Sequence, residues 1–134
     1  MSEFNYLKGY INNTNTNFGK KKTKRKNFQI GKKKEKIIKI YVSKNNKKKY
    51  TAEIINKQTK KTKLIHFGAR GYEQYKDSTK IKKYKSKDHL DSKRRMNYFS
   101  RHSGVKTKTE ALRKEWLKSK GNFNAKILSH MYLW

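Results

Sequence analysis

From Lys36 onward, apolar and polar positions alternate with a period of two. Ile38, Ile40 and Val42 share one face and Lys39 and Tyr41 the other, the pattern of a half-buried strand. Lys44-Asn45-Asn46-Lys47 then supplies turn residues, since Asn tolerates positive φ. A second strand carries Tyr50, Ala52 and Ile54 on one face and Thr51, Glu53 and Ile55 on the other. After a turn at Asn56-Lys57-Gln58-Thr59, a third strand sets Lys63, Ile65 and Phe67 opposite Leu64 and His66. Three short strands joined by short turns predict an antiparallel meander. Such a sheet buries one face only, and a second layer has to cover it.

The period lengthens after Lys87. Asp88 can cap a helix whose third position is Asp91, which puts both carboxylates at the positive end of the helix dipole. On this helix Leu90, Arg94 and Tyr98 form one stripe and Arg95, Phe99 and His102 the next, and Gly104 is a stop signal. Thr107-Lys108-Thr109-Glu110 matches the capping box of a second helix, with Leu112 and Trp116 one turn apart and Gly121 at its end. Phe123 to Trp134 is the most apolar segment, and Trp134 is expected to tuck into the core. The predicted fold class is therefore α+β: a three-stranded antiparallel meander packed against two or three C-terminal helices, within residues 35–134.

Residues 1–34 lack either period. They hold ten basic residues and one acid, Glu3, among Asn, Thr and Gly. Too little apolar surface is present to offset the chain entropy, so an extended or disordered basic arm is expected. Its Phe4, Tyr6, Leu7, Tyr10, Ile11, Phe18, Phe28 and Ile30 exceed what a linker needs, and some are expected to dock on the domain or on a partner. A chain of 134 residues has room for one domain and such an arm.

Charge sharpens this picture. The formal net charge is +29, from 38 Lys and Arg against 9 Asp and Glu, and apolar residues make up only 32%. A small body so charged repels itself, so a polyanion or an acidic partner is expected in its working state. Lysine, asparagine, isoleucine and tyrosine have AT-rich codons, which accounts for Lys over Arg. It does not account for the shortage of acids. Without cysteine there are no disulfides or thiolate metal sites, and neither a leader nor an apolar span is visible, so a soluble protein of intracellular origin is expected. Attachment to anionic lipid stays open on charge alone.

The candidate binding residues are cationic. Lys20, Lys21, Lys22, Lys24, Arg25 and Lys26 form a run suited to phosphate contacts or nuclear import, and equally to a solvated tail. Lys87, Arg94, Arg95 and Arg101, with Lys93, make a basic helix face, and His102 beside Arg101 suits a structural or phosphate-contacting role better than a catalytic one. Nothing in this spacing selects a base, so readout of sequence is not expected. In Phe67-Gly68-Ala69-Arg70-Gly71-Tyr72 the glycines could turn backbone N–H groups toward an anion with Arg70 adding its fork, or could simply permit a sharp turn above packed Tyr72 and Tyr75. Neither a Walker loop nor a dinucleotide fingerprint is present. Tyr41, Tyr72, Tyr75 and Tyr84 could stack on unpaired bases or serve as core. The four histidines, His66, His89, His102 and His130, have no metal-ligand spacing, so no metal, cofactor or enzymatic activity is expected.

The order of motifs from Phe67 resembles a family of small, uncharacterised basic proteins encoded by nucleocytoplasmic large DNA viruses, mimivirus-like and chlorella-virus-like members among them. The likeness is carried by Phe67-Gly68-Ala69-Arg70-Gly71-Tyr72, Lys87-Asp88, Tyr98-x-x-Arg101-His102, Trp116 and Gly121, and a terminal aromatic. It departs from the family pattern at Glu73-Gln74-Tyr75 and in the long interval between His102 and Trp116. The resemblance implies a viral origin and a place in the virion, or in the viral factory of the host cytoplasm, and implies no reaction. Together with the charge it leads to the expectation of a non-enzymatic viral structural protein that binds DNA or RNA through phosphates, condensing or tethering the genome. The alternative is a minor capsid or cement protein whose partners are acidic capsid surfaces.

Overall fold

The computed structural model describes residues 34–134; the arm, with the basic run from Lys20 to Lys26, lies outside the described residues. Three strands, β1 (Glu35–Val42), β2 (Lys48–Asn56) and β3 (Thr62–Ala69), form an antiparallel sheet in the order β1-β2-β3. Three helices follow: α1 (Ser92–Ser103), α2 (Lys108–Ser119) and α3 (Ala125–Tyr132). The α+β meander with C-terminal helices expected from the pattern is thus the observed fold. No helix among the described residues is long and apolar enough to cross a membrane.

The covered face is built on β2. Tyr50, Ala52 and Ile54 are fully buried there, flanked by Phe67 of β3 and covered by Leu112 and Trp116 of α2, Phe123, and Ile127, Leu128 and Leu133 from α3 and the residue after it. Each such side chain, fully buried, stabilises the fold by roughly 1.5–3 kcal/mol relative to exposure. On β1 the expected parity fails. The register slips between Ile37 and Lys39, so Ile37 joins Ile40 and Val42 against the core while Ile38 turns outward, 47% exposed. One extra residue in a strand flips every position on its far side, which alternation alone cannot reveal.

The turns use asparagine differently from the expectation. Asn45 Oδ1 accepts from Lys47 N, and Asn56 Oδ1 accepts from Gln58 N and Thr59 N. The left-handed residue of the second turn is Lys60. These asparagines shape their turns as side-chain acceptors.

The first helix also starts later than expected. Asp91 is its cap, accepting from Lys93 N and Arg94 N, whereas Asp88 is spent on Gln74 Nε2 and Asp77 N. Leu90 lies outside the helix at positive φ and is exposed, and the buried stripe is Tyr98, Phe99 and Ser103. The helix ends at Gly104 as expected. Thr107 caps α2 through Glu110 N, and the Glu110 carboxylate takes the Thr107 hydroxyl. Asn124 caps α3.

Between β3 and α1 the chain has little regular structure beyond a short 3-10 turn at Lys85–Lys87, yet it is tightly held. Asp77 is buried and accepts from the Tyr50 hydroxyl, Thr79 N, Thr79 Oγ1 and Tyr84 N. Burial by itself would raise this carboxyl, but the bonds from Thr79 and Tyr50 outweigh it and hold it below the usual value. Lys76 N and Ser78 N donate to the carbonyls of Leu133 and Tyr132, joining the segment to the end of α3.

Candidate functional site

Where that segment meets the helices, residues 69–74, the outer side of α1 and the first turns of α3 enclose an open cleft of about 450 Å³. Lys48, Lys49, Arg94, Arg101, His102 and Lys126 line it, together with Tyr72, Tyr98 and Trp134. Its single acid, Glu73, is ion-paired with Arg94 at 2.9 Å. Arg94 draws the exposed Glu73 carboxyl below its ordinary value, so the acid stays ionised and its charge stays matched. Lys126 in turn lies 3.7 Å from the buried Glu115 carboxylate, so the excess positive charge of the cleft rests on Lys48, Lys49 and Arg101.

Its floor is unusually fixed. Lys49 is 2% exposed, and its ammonium donates to the Tyr72 carbonyl at 2.6 Å and to Gln74 Oε1. Burial lowers its pKa to about 8 against the opposing pull of Asp77 and Asp88. Gln74 in turn donates to the Tyr84 carbonyl at 2.8 Å and to Asp88 Oδ1 at 2.6 Å, so every polar atom of its side chain is used. At the adjoining end of β3, Gly68 sits at φ +81°, where a Cβ would lie 2.8 Å from Leu133 Cδ1 and 3.2 Å from Lys49 Cβ. Only glycine fits both the conformation and the space.

One wall is an aromatic ladder. His102 lies over Tyr98 with centroids 4.5 Å apart, Tyr98 stacks on Trp134, and Trp134 meets His89 at 5.3 Å. Beyond it Tyr75 contacts His89 and is covered by the Arg95 guanidinium at 4.5 Å. Asp91 N donates to His89 Nδ1, while the buried Nε2 has no hydrogen-bond partner among the described residues. Burial, then the charges of Arg101 and Lys126, keep His102 below the usual histidine pKa, so it is mostly neutral at pH 7.

Of the residues expected to bind, Arg94, Arg101 and His102 are brought together in the cleft. Arg101 is exposed, with no Asp or Glu at ion-pair distance among the described residues. Arg95 faces elsewhere, held between Tyr75 and Phe99 with Nε donating to the Trp134 carbonyl at 2.8 Å. Arg70 is exposed beside the cleft rather than in it. Lys87 contributes its main chain, which accepts from Gln74 N. Two amides of the glycine loop are turned inward, with Arg70 N donating to the Lys47 carbonyl and Tyr72 N to that of Ala69. The loop is a sharp turn, and of its two tyrosines Tyr75 is packed while Tyr72 is 71% exposed.

Lys48, Lys49 and Lys126 were not singled out by sequence reasoning. Lys126 was the most findable, because Ala125, Lys126 and Ser129 fall on the opposite side of α3 from buried Ile127 and Leu128.

A second polar cluster is closed to solvent. His130 is fully buried, with Nδ1 at 3.0 Å from the Tyr98 hydroxyl and Nε2 at 2.9 Å from Ser103 Oγ, whose own proton goes to Glu115 Oε2 at 2.8 Å. Ser103 therefore accepts from His130 Nε2–H and Tyr98 donates to Nδ1, a neutral imidazole with both nitrogens satisfied. Serine, histidine and acid are all present, yet the serine proton is directed to the carboxylate and the imidazole is already occupied. The arrangement packs α1, α2 and α3 together. Among the described residues no group of three His, Asp or Glu side chains converges as a metal ion would require. No protein-family model, curated protein or solved structure matches the chain.

Proposed function

We propose that this chain is a non-enzymatic nucleic-acid-binding protein that holds DNA or RNA by its phosphates without reading sequence, condensing or tethering a genome. One observation carries the reading: the cleft gathers Lys48, Arg94, Arg101 and Lys126 around a neutral His102, its one acidic side chain is already paired, and Arg101 has no acid at ion-pair distance among the described residues. Arg94 and Lys126 are matched by Glu73 and Glu115, so the excess charge rests on Arg101 and Lys48 beside a fixed floor, and such cations suit phosphate oxygens, whose condensed counterions are released on binding. The viral setting, in the virion or a viral factory, belongs to the same proposal and rests on the motif resemblance.

The test is the salt dependence of binding to a labelled duplex followed by anisotropy. Affinity should fall with log K decreasing by about 0.9 for each log unit of salt per phosphate neutralised. Arg101→Ala should weaken binding and make that slope shallower by about 0.9. Arg95→Ala should leave the slope unchanged, because Arg95 is engaged with Tyr75 and Trp134. Affinity that stays flat between low and physiological salt would end this reading, and capture by acidic capsid proteins in place of nucleic acid would redirect it.

A further inference from the structure

We propose that the cleft takes one unpaired nucleotide of a single strand, with its base stacked on Tyr72 and the flanking phosphates on Arg101 and Lys48. This rests on the phosphate-binding reading above and adds to it a preference for single-stranded over duplex nucleic acid.

Tyr72 is the distinguishing feature. At 71% it is the most exposed large apolar side chain among the described residues, and it stands on the rim of a cationic cleft. The other tyrosines considered for stacking are committed or distant: Tyr75 lies under Arg95, Tyr84 packs edge-on against Tyr50, and Tyr41 is on β1 beneath Lys39. The main chain beneath Tyr72 is the opposite of loose. Its carbonyl accepts from the buried Lys49 ammonium, so the backbone is fixed while the ring is left in water. A ring presented from a fixed backbone needs little further ordering to bind, which removes part of the usual cost of association.

The space fits the same occupant. A volume near 450 Å³ lies in the range of small-ligand sites, roughly 300–1,000 Å³. A base turned out of a stack can enter such a cleft, whereas the bases of a duplex stay inside the helix and offer only phosphates to the rim. Stacking on an aromatic face is tolerant of base identity, in keeping with a surface that has no base-reading pattern.

The test compares the full 134-residue chain binding an oligothymidylate and a duplex of equal length at physiological salt. The single strand should bind more tightly by about tenfold or more. Tyr72→Ala should weaken single-strand binding by roughly 5- to 150-fold, the range of one base–aromatic stack, and weaken duplex binding far less. Tyr72→Phe should restore it. Because the ring is exposed, the alanine variant should keep its thermal midpoint, which is measured alongside. Equal affinity for the two polymers, or a Tyr72→Ala variant within about twofold of the parent on the single strand, would overturn this inference and leave phosphate binding standing. If neither polymer binds, the phosphate reading falls with it.

Discussion

The rings of Tyr98 and Trp134 lie parallel to within 3°, with centroids 4.1 Å apart. Tyr98 is also hydrogen-bonded to His130 of α3, so one side chain on α1 fastens both α3 and the residue after Leu133. The aromatic wall of the cleft depends on that stack. Trp134→Ala should therefore destabilise the fold by roughly 2–3 kcal/mol, less than a fully buried tryptophan would because Trp134 is only partly covered. Trp134→Phe should recover more than half of the loss. Urea unfolding of the two variants measures this, and an alanine variant as stable as the parent would show the stack to be incidental.

Asp77 makes a sharper case. One buried carboxylate receives protons from Tyr50, Thr79 and Tyr84, and its segment supports the floor of the cleft. Asp77→Asn keeps the shape but replaces an acceptor oxygen with a donor, so at least one of those protons faces another. The expected cost is roughly 2–4 kcal/mol. Amide exchange at Thr79 and Tyr84 should accelerate beyond what global destabilisation explains. Unchanged local exchange would mean that the network is not what orders the segment.

These two sites mark where sequence reasoning reached and where it stopped. Alternation located Tyr50, Ala52, Ile54 and Phe67 because each is decided by neighbours two residues away on a regular strand. It misplaced Ile38 because a bulge leaves no periodic trace. Asp88 and Asp91 are equally good caps locally. The choice between them is made by Gln74 and Asp77, more than ten residues upstream. The cationic cleft was half legible: Arg94, Arg101 and His102 declare themselves on one helix, but Lys48 reaches it through its pairing with Ala69 and Lys126 through the packing of α3 on β3. Tyr50 to Asp77 and Lys49 to Gln74 are long-range pairings with no period at all.

Gly68 and Gly71 both have positive φ, +81° and +94°, but different surroundings. Alanine at position 71 meets nothing within 4 Å and pays only for its backbone, about 1–2 kcal/mol. At position 68 the new methyl also presses on Leu133 and Lys49, two residues that hold the core and the cleft floor. Gly68→Ala should cost roughly 1–3 kcal/mol more than Gly71→Ala. Equal losses in thermal or chemical denaturation would show that the neighbours yield freely.

His130 should set the stability in mild acid. Burial, then the positive surroundings of His102, Lys126 and Lys108, lower its pKa to about 3 from an ordinary value of 6.5. The unfolded chain therefore takes up a proton that the folded chain refuses. The stability tied to this group is complete above pH 6.5 and is lost progressively as pH falls from there toward about 3. At pH 5 the loss should be roughly 2 kcal/mol, from about 1.4 kcal/mol per pH unit. His89 and His102 are shifted the same way and add to it, while the depressed carboxyls of Glu73, Asp77 and Asp91 act only at lower pH, within the carboxylate range. His130→Phe should be less stable at pH 7, because Tyr98 and Ser103 lose their partner, yet its stability should fall less between pH 7 and pH 5. The direct measurement is the NMR titration of the imidazole, which should remain neutral to below pH 4. An imidazole that takes up its proton near pH 6.5 with the fold intact would show that the cluster joining Tyr98, Ser103 and Glu115 admits a charge, and the closed, purely structural account of it would be wrong.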